Sequence, residues 1–199
     1  MTIASVVEGE GELSALPTLL RRLTYEAELW DANILKPYRV GRDSLVKQGG
    51  IEVAVEALAD RVPADGPGGI LVVLDADDDC PATLGPSLLE RAMTARPDRR
   101  TAVVLAQREF EAWFLAAAPT LGGCRGMPHG LDVPPDCEAP RDCKGWLTHH
   151  RADGRPYKPA VDQAALSEVF GLAMARANSP SFEKFCRDVH YLMTGKRGA

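Results

Sequence analysis

The chain has 199 residues, of which 45% are hydrophobic and 26% are charged, and its formal net charge is −5. This balance is typical of a globular protein and excludes a disordered or collagenous chain. Blanket neutralisation of phosphates would require a basic protein, so any role with nucleic acid has to account for the acidic balance. No apolar run approaches the roughly 20 residues that cross a bilayer, and we expect no signal peptide, so the sequence predicts a cytoplasmic protein without a membrane partner.

The first half of the sequence alternates apolar strands with amphipathic helices. Residues 2–7 predict a buried strand, and leucines spaced along residues 13–23 predict the helix that follows. Residues 33–40 predict a second strand, at a sheet edge or bulge because Pro37 interrupts it. The next predicted elements are a helix over 51–62, a strand over 70–74, a helix over 84–95 and a strand over 101–106. This alternation predicts an α/β fold with a mostly parallel sheet flanked by helices.

The second half has a different texture. Residues 109–118 predict a helix, and the proline-rich residues 119–160 predict an irregular excursion with a short helix around Trp146. Residues 161–199 predict C-terminal helices packed on the core, one with a stripe over 166–174 and a last one that begins at Ser179-Pro180. We therefore expect three segments: an α/β core over 1–118, the loop-rich insertion over 119–160 and the helices over 161–199.

Acidic residues follow two of the predicted strands. Because the carboxyl ends of parallel strands meet at one edge of a sheet, these carboxylates are expected to lie close together. Crowded carboxylates repel one another and persist most easily around a hard cation, which predicts one or two Mg²⁺ or Mn²⁺ ions. A solvated acidic turn that caps helices is the alternative. The residues concerned are Glu8, Glu10 and Glu12 after the first strand, and Asp75, Asp77, Asp78 and Asp79 after the strand over 70–74.

The spacing of these acids resembles that of a known module. Val7-Glu8-Gly9 with Glu12, followed by Asp75-Ala76-Asp77 after a hydrophobic strand, resembles the Toprim domain of topoisomerases, bacterial primases, recombination mediators and overcoming-lysogenization-defect nucleases. The form with a second glutamate is most similar to the nuclease branch, and the resemblance implies a Toprim-like (Rossmannoid) form of the α/β fold. The resemblance implies that Glu8 is a metal ligand or proton-transfer group, that Asp75 and Asp77 hold the ion, and that Glu12 is the second glutamate. Asp75 and Asp77 can both face one ion if the strand end stays extended.

A second resemblance covers nearly the whole chain. Three segments are similar to a Toprim-like bacterial family of unknown function, family 4276. They are Arg108-Glu109-Phe110-Glu111-Ala112-Trp113, Asp142-Cys143-Lys144-Gly145 and Ser179-Pro180-Ser181-Phe182.

Three further residues are candidates for a catalytic role. Glu109 and Glu111 follow the strand over 101–106, and side chains two residues apart on a helix diverge by about 200°, so we favour Glu109 as the one near the ion. An acid that stabilises the helix dipole is the alternative for Glu109. Lys144 and Lys158 are candidates for stabilising a pentavalent phosphate or guiding a nucleic-acid strand, and ordinary surface lysines are the alternative.

The five cysteines include no CxxC pair, which predicts free thiols. The excursion contains potential zinc ligands, namely Cys124, Cys137, Cys143, His129, His149 and His150. A structural zinc site is therefore one hypothesis. Their spacing matches no standard zinc motif, which favours the alternative that these residues share a loop by coincidence.

Together these features predict a Mg²⁺- or Mn²⁺-dependent phosphodiesterase or nuclease acting on nucleic acid, DNA more than RNA, with phage defence as an expected setting. A nucleotidyl or phosphoryl transfer enzyme uses the same acidic chemistry. A non-catalytic or partner-activated subunit of a separate ATPase is a third hypothesis, since the sequence has no P-loop, and a homo-oligomer is open. Because the acid is concentrated at one predicted edge, binding to nucleic acid is expected to be weak and metal-dependent.

Overall fold

A computed structural model of the protein describes residues 1–196. Its sheet is wholly parallel, in the order β2-β1-β4-β5, with β3 also paired to β1. The predicted strand over 33–40 is split into two short strands around Pro37, which lacks an N–H, and it lies at the sheet edge as expected. The strands are β1 (Thr2–Val7), β2 (Asn33–Ile34), β3 (Tyr38–Arg39), β4 (Gly68–Asp75) and β5 (Thr101–Ala106).

Helices cover both faces of this sheet, which confirms the predicted α/β fold. A 3₁₀ turn over Ala118–Leu121 and a π-helical turn over Pro159–Gln163 complete the regular structure of the described residues. The helices are α1 (Glu12–Glu26), α2 (Arg42–Val46), α3 (Gly50–Ala59), α4 (Pro81–Ala95), α5 (Ala112–Leu115), α6 (Cys143–His150), α7 (Ala164–Val169), α8 (Leu172–Asn178) and α9 (Pro180–Thr194).

Two helix predictions need correction and one is confirmed. The helix predicted over 109–118 is only α5, because the N–H of Phe110 bonds to Asp75 and Pro119 supplies no N–H at the other end. The stripe over 166–174 is broken between α7 and α8, where the N–H of Gly171 donates to Oγ1 of Thr120 instead of continuing a helix. Ser179 caps α9 as predicted, its Oγ accepting the N–H of Phe182 at 3.0 Å.

Successive side chains of a strand point to opposite faces of the sheet, and a hydrophobic cluster covers each face. The longer strands β1, β4 and β5 are therefore mostly apolar on both faces. Ile3 and Val7 of β1 pack with α1 and α9 on one face, while Ala4 and Val6 pack with α3 and α4 on the other. The first of these clusters also takes in side chains of the excursion and of the C-terminal helices, so all three predicted segments contribute to one core. These are Met127, Cys137, Leu147, Tyr157, Phe182, Phe185 and Val189. Residues 197–199 of the predicted third segment lie outside the described residues.

The topology opens a crevice between β1 and β4. The chain leaves β1 toward β2 at one side and returns to β4 at the other, so the connections of these adjacent strands diverge at their carboxyl ends. Ligands of open α/β sheets bind at such switch points. Glu8 follows β1 and Asp75 ends β4, so both lie at this position. Across residues 1–196, no helix has the length and apolarity needed to cross a membrane.

Candidate active site

A cleft of about 320 Å³ occupies the crevice between the carboxyl ends of β1 and β4. The π-helical turn closes one side of it so tightly that a Cβ on Gly11 would lie 2.2 Å from Oε1 of Gln163. The absence of a side chain at Gly11 therefore allows the π-helical turn to pack closely against the start of α1. The cleft is lined by Glu8, Gly9, Glu10, Gly11, Glu12, Asp75, Glu111, Lys144, Pro159, Ala160 and Gln163.

Glu12 is the first residue of α1 and its carboxylate folds back over the preceding turn. Its Oε2 accepts the backbone N–H groups of Glu8 at 3.2 Å and Gly9 at 3.4 Å. The side chain is buried, and this burial raises its pKa to about 7, with the charge of Glu8 adding to the effect and the N–H of Gly9 opposing it. The first residue of α1 is thus a carboxylate whose pKa lies near neutral pH.

Glu8 is half-buried beside Glu12. Its Oε2 is buried and has no hydrogen-bond partner. Burial raises the pKa of Glu8 to about 7, the charge of Asp77 raises it further, and Arg42 and Lys144 oppose the shift. An unsatisfied buried carboxylate oxygen is costly, which makes this atom a candidate for contact with a ligand.

Asp75 is the last residue of β4 and is nearly inaccessible to solvent. Its Oδ1 accepts the N–H of Phe110 at 2.6 Å. Burial raises its pKa well above the ordinary value, and the charges of Glu12 and Glu8 raise it further. Glu8, Glu12 and Asp75 are therefore close enough to act on one another electrostatically, as the sequence predicted from their positions after two strands.

Arg42, which the sequence analysis missed, supports the end of β4. Its Nε donates to the carbonyl of Asp75 at 3.1 Å, and its Nη2 donates to the carbonyl of Ala76 at 3.3 Å. It also pairs with the carboxylates of Asp77 and Asp79. No sequence signal marks this residue, because α2 is only five residues long and carries no motif.

Asp77 is not among the residues that line the cleft. Its φ of 50° is in the left-handed region, its side chain is 60% exposed, and Nε of Arg42 lies 3.3 Å from its carboxylate. The strand end therefore does not stay extended through Asp77, and the condition for Asp75 and Asp77 to face one ion is not met. Asp77 still acts on Glu8 through its charge, and its role as a metal ligand remains a prediction.

Lys144 supplies a positive charge to the cleft from the start of α6. Its Nζ lies 3.0 Å from Oε1 of Glu109 and 3.3 Å from Oε2 of Glu111. The other oxygen of Glu109 accepts the N–H groups of Cys143 and Lys144, so Glu109 caps α6 as well as holding the ammonium. These carboxylates and that of Asp75 raise the pKa of Lys144, although its burial opposes the rise.

Glu111 rather than Glu109 lines the cleft. It is fully buried, which raises its pKa, and Lys144 opposes that shift. Its Oε1 accepts the hydroxyl of Tyr157 at 3.0 Å and the amide of Gln163 at 3.3 Å. Its Oε2 and the Oε1 of Gln163 are buried without a hydrogen bond. The favoured choice of Glu109 followed from helical geometry, which does not apply because α5 begins only after Glu111.

Lys158 and the cysteines lie outside the cleft. The side chain of Lys158 is exposed, beside Pro159 at the cleft wall, and its backbone N–H donates to Asp162. Burial raises the pKa of Cys137 to about 11 and that of Cys143 to about 12. The thiols of Cys124, Cys137 and Cys143 donate to three separate carbonyls, so the structure does not bring the possible zinc ligands together.

Among residues 1–196, no three His, Cys, Asp or Glu side chains converge closely enough to enclose a metal ion. Mg²⁺ usually keeps several waters and binds through only one or two carboxylates together with substrate phosphates. One or two of the carboxylates of Glu8, Glu12 and Asp75 fit such an ion, since all their donors are oxygens and Oε2 of Glu8 has no hydrogen-bond partner.

The fold and the site define a doubly wound α/β protein with a carboxylate-rich cleft at its switch point. A family model described as a domain of unknown function (DUF4276) matches residues 7–190, and the chain belongs to this family, as the three sequence segments predicted. No curated protein and no solved structure shows significant similarity to the chain.

Proposed function

We propose that this protein is a divalent-metal-dependent phosphodiesterase of the Toprim type that acts on nucleic acid, DNA in preference to RNA. The observation that carries the proposal is the crowding of Glu8, Glu12 and Asp75 at the switch point, with raised pKa values and one orphaned oxygen. Strongly perturbed carboxylates in a cleft are typical of functional sites.

Glu8, Glu12 and Asp75 would supply the ligands of Mg²⁺ or Mn²⁺, one or two of them binding the ion directly, and Asp77 would join them if its side chain turned from Arg42. When bound, the ion would neutralise charge on a phosphodiester and activate the attacking water. In the metal-free protein the pKa of Glu8 is about 7, so if the ion is held by the other carboxylates, Glu8 can accept or release a proton near neutral pH.

The basic residues would have different roles. Lys144 holds a positive charge within the carboxylate cluster, and Glu109 acts as a positioning residue because it binds both the ammonium and the first turn of α6. Lys158, exposed beside the cleft wall, would guide the substrate strand.

The size of the cleft favours one further candidate, phosphoryl or nucleotidyl transfer on a small nucleotide. A volume of about 320 Å³ lies at the lower end of the range for small-molecule pockets. Such an enzyme would use the same carboxylates, and its products would differ from those of nucleic-acid cleavage.

The test is cleavage of plasmid and single-stranded DNA by the purified protein with Mg²⁺, with Mn²⁺ and with a chelator. We expect metal-dependent cleavage that falls at least about a hundredfold in Asp75→Asn, the scale on which metal-site substitutions act. Asparagine keeps an oxygen for the N–H of Phe110, and circular dichroism checks that the variant is folded.

Asp98→Asn is the matched control, because Asp98 is also an aspartate with charged partners but lies before β5, away from the cleft. Its cleavage rate should equal that of the wild type. Full activity in Asp75→Asn, or no cleavage by the wild type with either metal, would contradict the proposal. Incubation with free nucleotides followed by product analysis separates the second candidate.

A further inference from the structure

Two arginines hold the carboxylate of Asp78 beside the acidic cleft. Nη1 of Arg108 donates to Oδ1 of Asp78 at 2.8 Å. Arg141 contacts both oxygens of the same carboxylate, at 2.9 Å from Nη2 and 3.1 Å from Nη1. The Asp78 side chain is 68% exposed, so this ion pair lies open to solvent. Exposed ion pairs are weak, and a better anion can displace the carboxylate.

The three residues line a depression of about 120 Å³ with Asp77 and Glu109. Glu109 binds Lys144, which lines the cleft, so the depression adjoins the proposed active site. Arg108 follows β5 and Arg141 precedes α6, so the two guanidinium groups come from separate segments and meet at the carboxyl edge of the sheet.

The backbone around Arg108 is strained in a way that fixes its side chain. Arg108 has a φ of 64° and Asp77 a φ of 50°, a conformation that non-glycine residues adopt at a cost. The two residues support each other, since the N–H of Asp77 donates to the carbonyl of Arg108 and Nη1 of Arg108 donates to the carbonyl of Asp77. Nε of Arg108 is buried without a hydrogen-bond partner, so the guanidinium keeps an unused donor.

From this arrangement we infer that Arg108 and Arg141 form a binding site for a phosphate group of the substrate, and that Asp78 occupies it in the free protein. Carboxylates and phosphates present similar oxygen pairs to a guanidinium group, so one can replace the other. The inference rests on the proposed function for its choice of ligand. Exchange of Asp78 for phosphate needs no metal, so it can be measured without catalysis.

The test is binding of a fluorescently labelled single-stranded oligonucleotide at low salt in the presence of a chelator. Asp78→Asn removes the competing charge and should lower the Kd about threefold to fivefold. Arg141→Ala should raise the Kd by a similar factor and lower the slope of log Kd against log salt by about one. Both positions are exposed, so the variants are expected to fold.

Asp98→Asn provides the matched control, because Asp98 also lies between two arginines, Arg96 and Arg99, but before β5. Its Kd should equal that of the wild type. Equal gains in Asp78→Asn and Asp98→Asn would reveal a general charge effect and overturn the site, as would an unchanged Kd in Arg141→Ala.

Oligonucleotides with and without a 5′-phosphate, and inorganic phosphate as competitor, identify the source of the group. Equal binding of both oligonucleotides assigns the site to internal phosphodiesters, whereas dependence on the 5′-phosphate or strong competition assigns it to a terminal or free phosphate. Arginine-dependent binding without cleavage in metal would contradict the proposed function alone. Cleavage by the wild type without any effect of these variants on binding would contradict the phosphate site alone.

Discussion

An exposed aspartate near the amino ends of the strands and the carboxylates of the cleft differ in the direction of their pKa shifts. Before β5, Asp98 receives two hydrogen bonds of 2.8 Å from Arg96 and one of 2.6 Å from Arg99, and the bonds from Arg96 lower its pKa to about 2. After β1, burial raises the pKa values of Glu8 and Glu12 to about 7. The carboxylate is therefore stabilised as an anion at Asp98 and destabilised as an anion in the cleft.

The crowding of acids in the cleft is thus a property of that site and not of every acid in the protein. Glu12, Asp75 and Glu111 are buried there beside the half-buried Glu8, and the ammonium of Lys144 pairs with Glu111. Such an arrangement lowers the stability of the free protein at neutral pH. Costs of this kind are typical of sites that bind a ligand able to offset them.

The largest expected change in stability comes from replacing a buried acid of the cleft, Glu111. Glu111→Ala leaves Lys144 with Glu109 alone and removes the acceptor of Tyr157 and Gln163. We expect it to lower the free energy of unfolding by about 3 to 5 kcal/mol, because the buried donors of Tyr157 and Gln163 lose their acceptor and a cavity is left. Urea denaturation at neutral pH measures this loss.

Asp98→Ala is the comparison for an exposed acid. Its free energy of unfolding should fall much less, since the carboxylate of Asp98 is in contact with water. Losses of equal size in the two variants would contradict the contrast between the cleft and the exposed acid.

The second prediction concerns the pH dependence of stability that arises from Glu12. The pKa of Glu12 is about 7 in the folded protein and near 4.5 when unfolded, so the folded state binds the proton more tightly and stability falls as pH rises from 4.5 to 7. Glu12→Gln removes this loss and keeps an oxygen for the N–H groups of Glu8 and Gly9. Without metal, it should be more stable than the wild type by about 3 kcal/mol at pH 8 and similar at pH 4.5. Urea denaturation at both pH values measures this.

Asp98→Asn should behave in the opposite way. The pKa of Asp98 is lowered to about 2, so its charge stabilises the fold throughout this pH range and is lost only in stronger acid. A Glu12→Gln variant less stable than the wild type at pH 8 would show that the buried carboxylate is not destabilising.

The smallest expected change in stability tests how closely the π-helical turn packs against Gly11, just before α1. A Cβ at Gly11 would lie 2.2 Å from Oε1 of Gln163 and 2.7 Å from the carbonyl of Pro159, whereas one at Gly41 meets nothing within 4 Å. Gly11→Ala should lower the free energy of unfolding by about 2 kcal/mol through overpacking. Gly41→Ala should lower it by about 0.5 kcal/mol or less. Thermal denaturation of the two variants compares them, and equal losses would place the π-helical turn farther from α1.

Local patterns predicted the frame of the site. The unbroken apolar run over residues 70–74 indicated a strand covered on both faces, and the structure has β4 there with every residue buried. Glu8 and Asp75 could be placed at one edge because they directly follow strands that chain order makes parallel.

The remaining residues depend on contacts between distant segments. Glu111 enters the cleft because Tyr157 of the excursion and Gln163 of the π-helical turn bind it, and no periodicity in the sequence records that contact. Asp77 lines the smaller depression instead of the cleft, and its left-handed turn is tied to Arg108, a residue on another loop. Sequence patterns report the local backbone and not these tertiary hydrogen bonds.

The most direct test of the metal site is calorimetric titration of the protein with Mn²⁺ at neutral pH. The wild type and Asp98→Asn should bind the ion with the same affinity, and Asp75→Asn should weaken binding about tenfold or more. Absence of binding heat in the wild type at millimolar Mn²⁺, or equal affinities in all three proteins, would contradict a metal site formed by the crowded carboxylates.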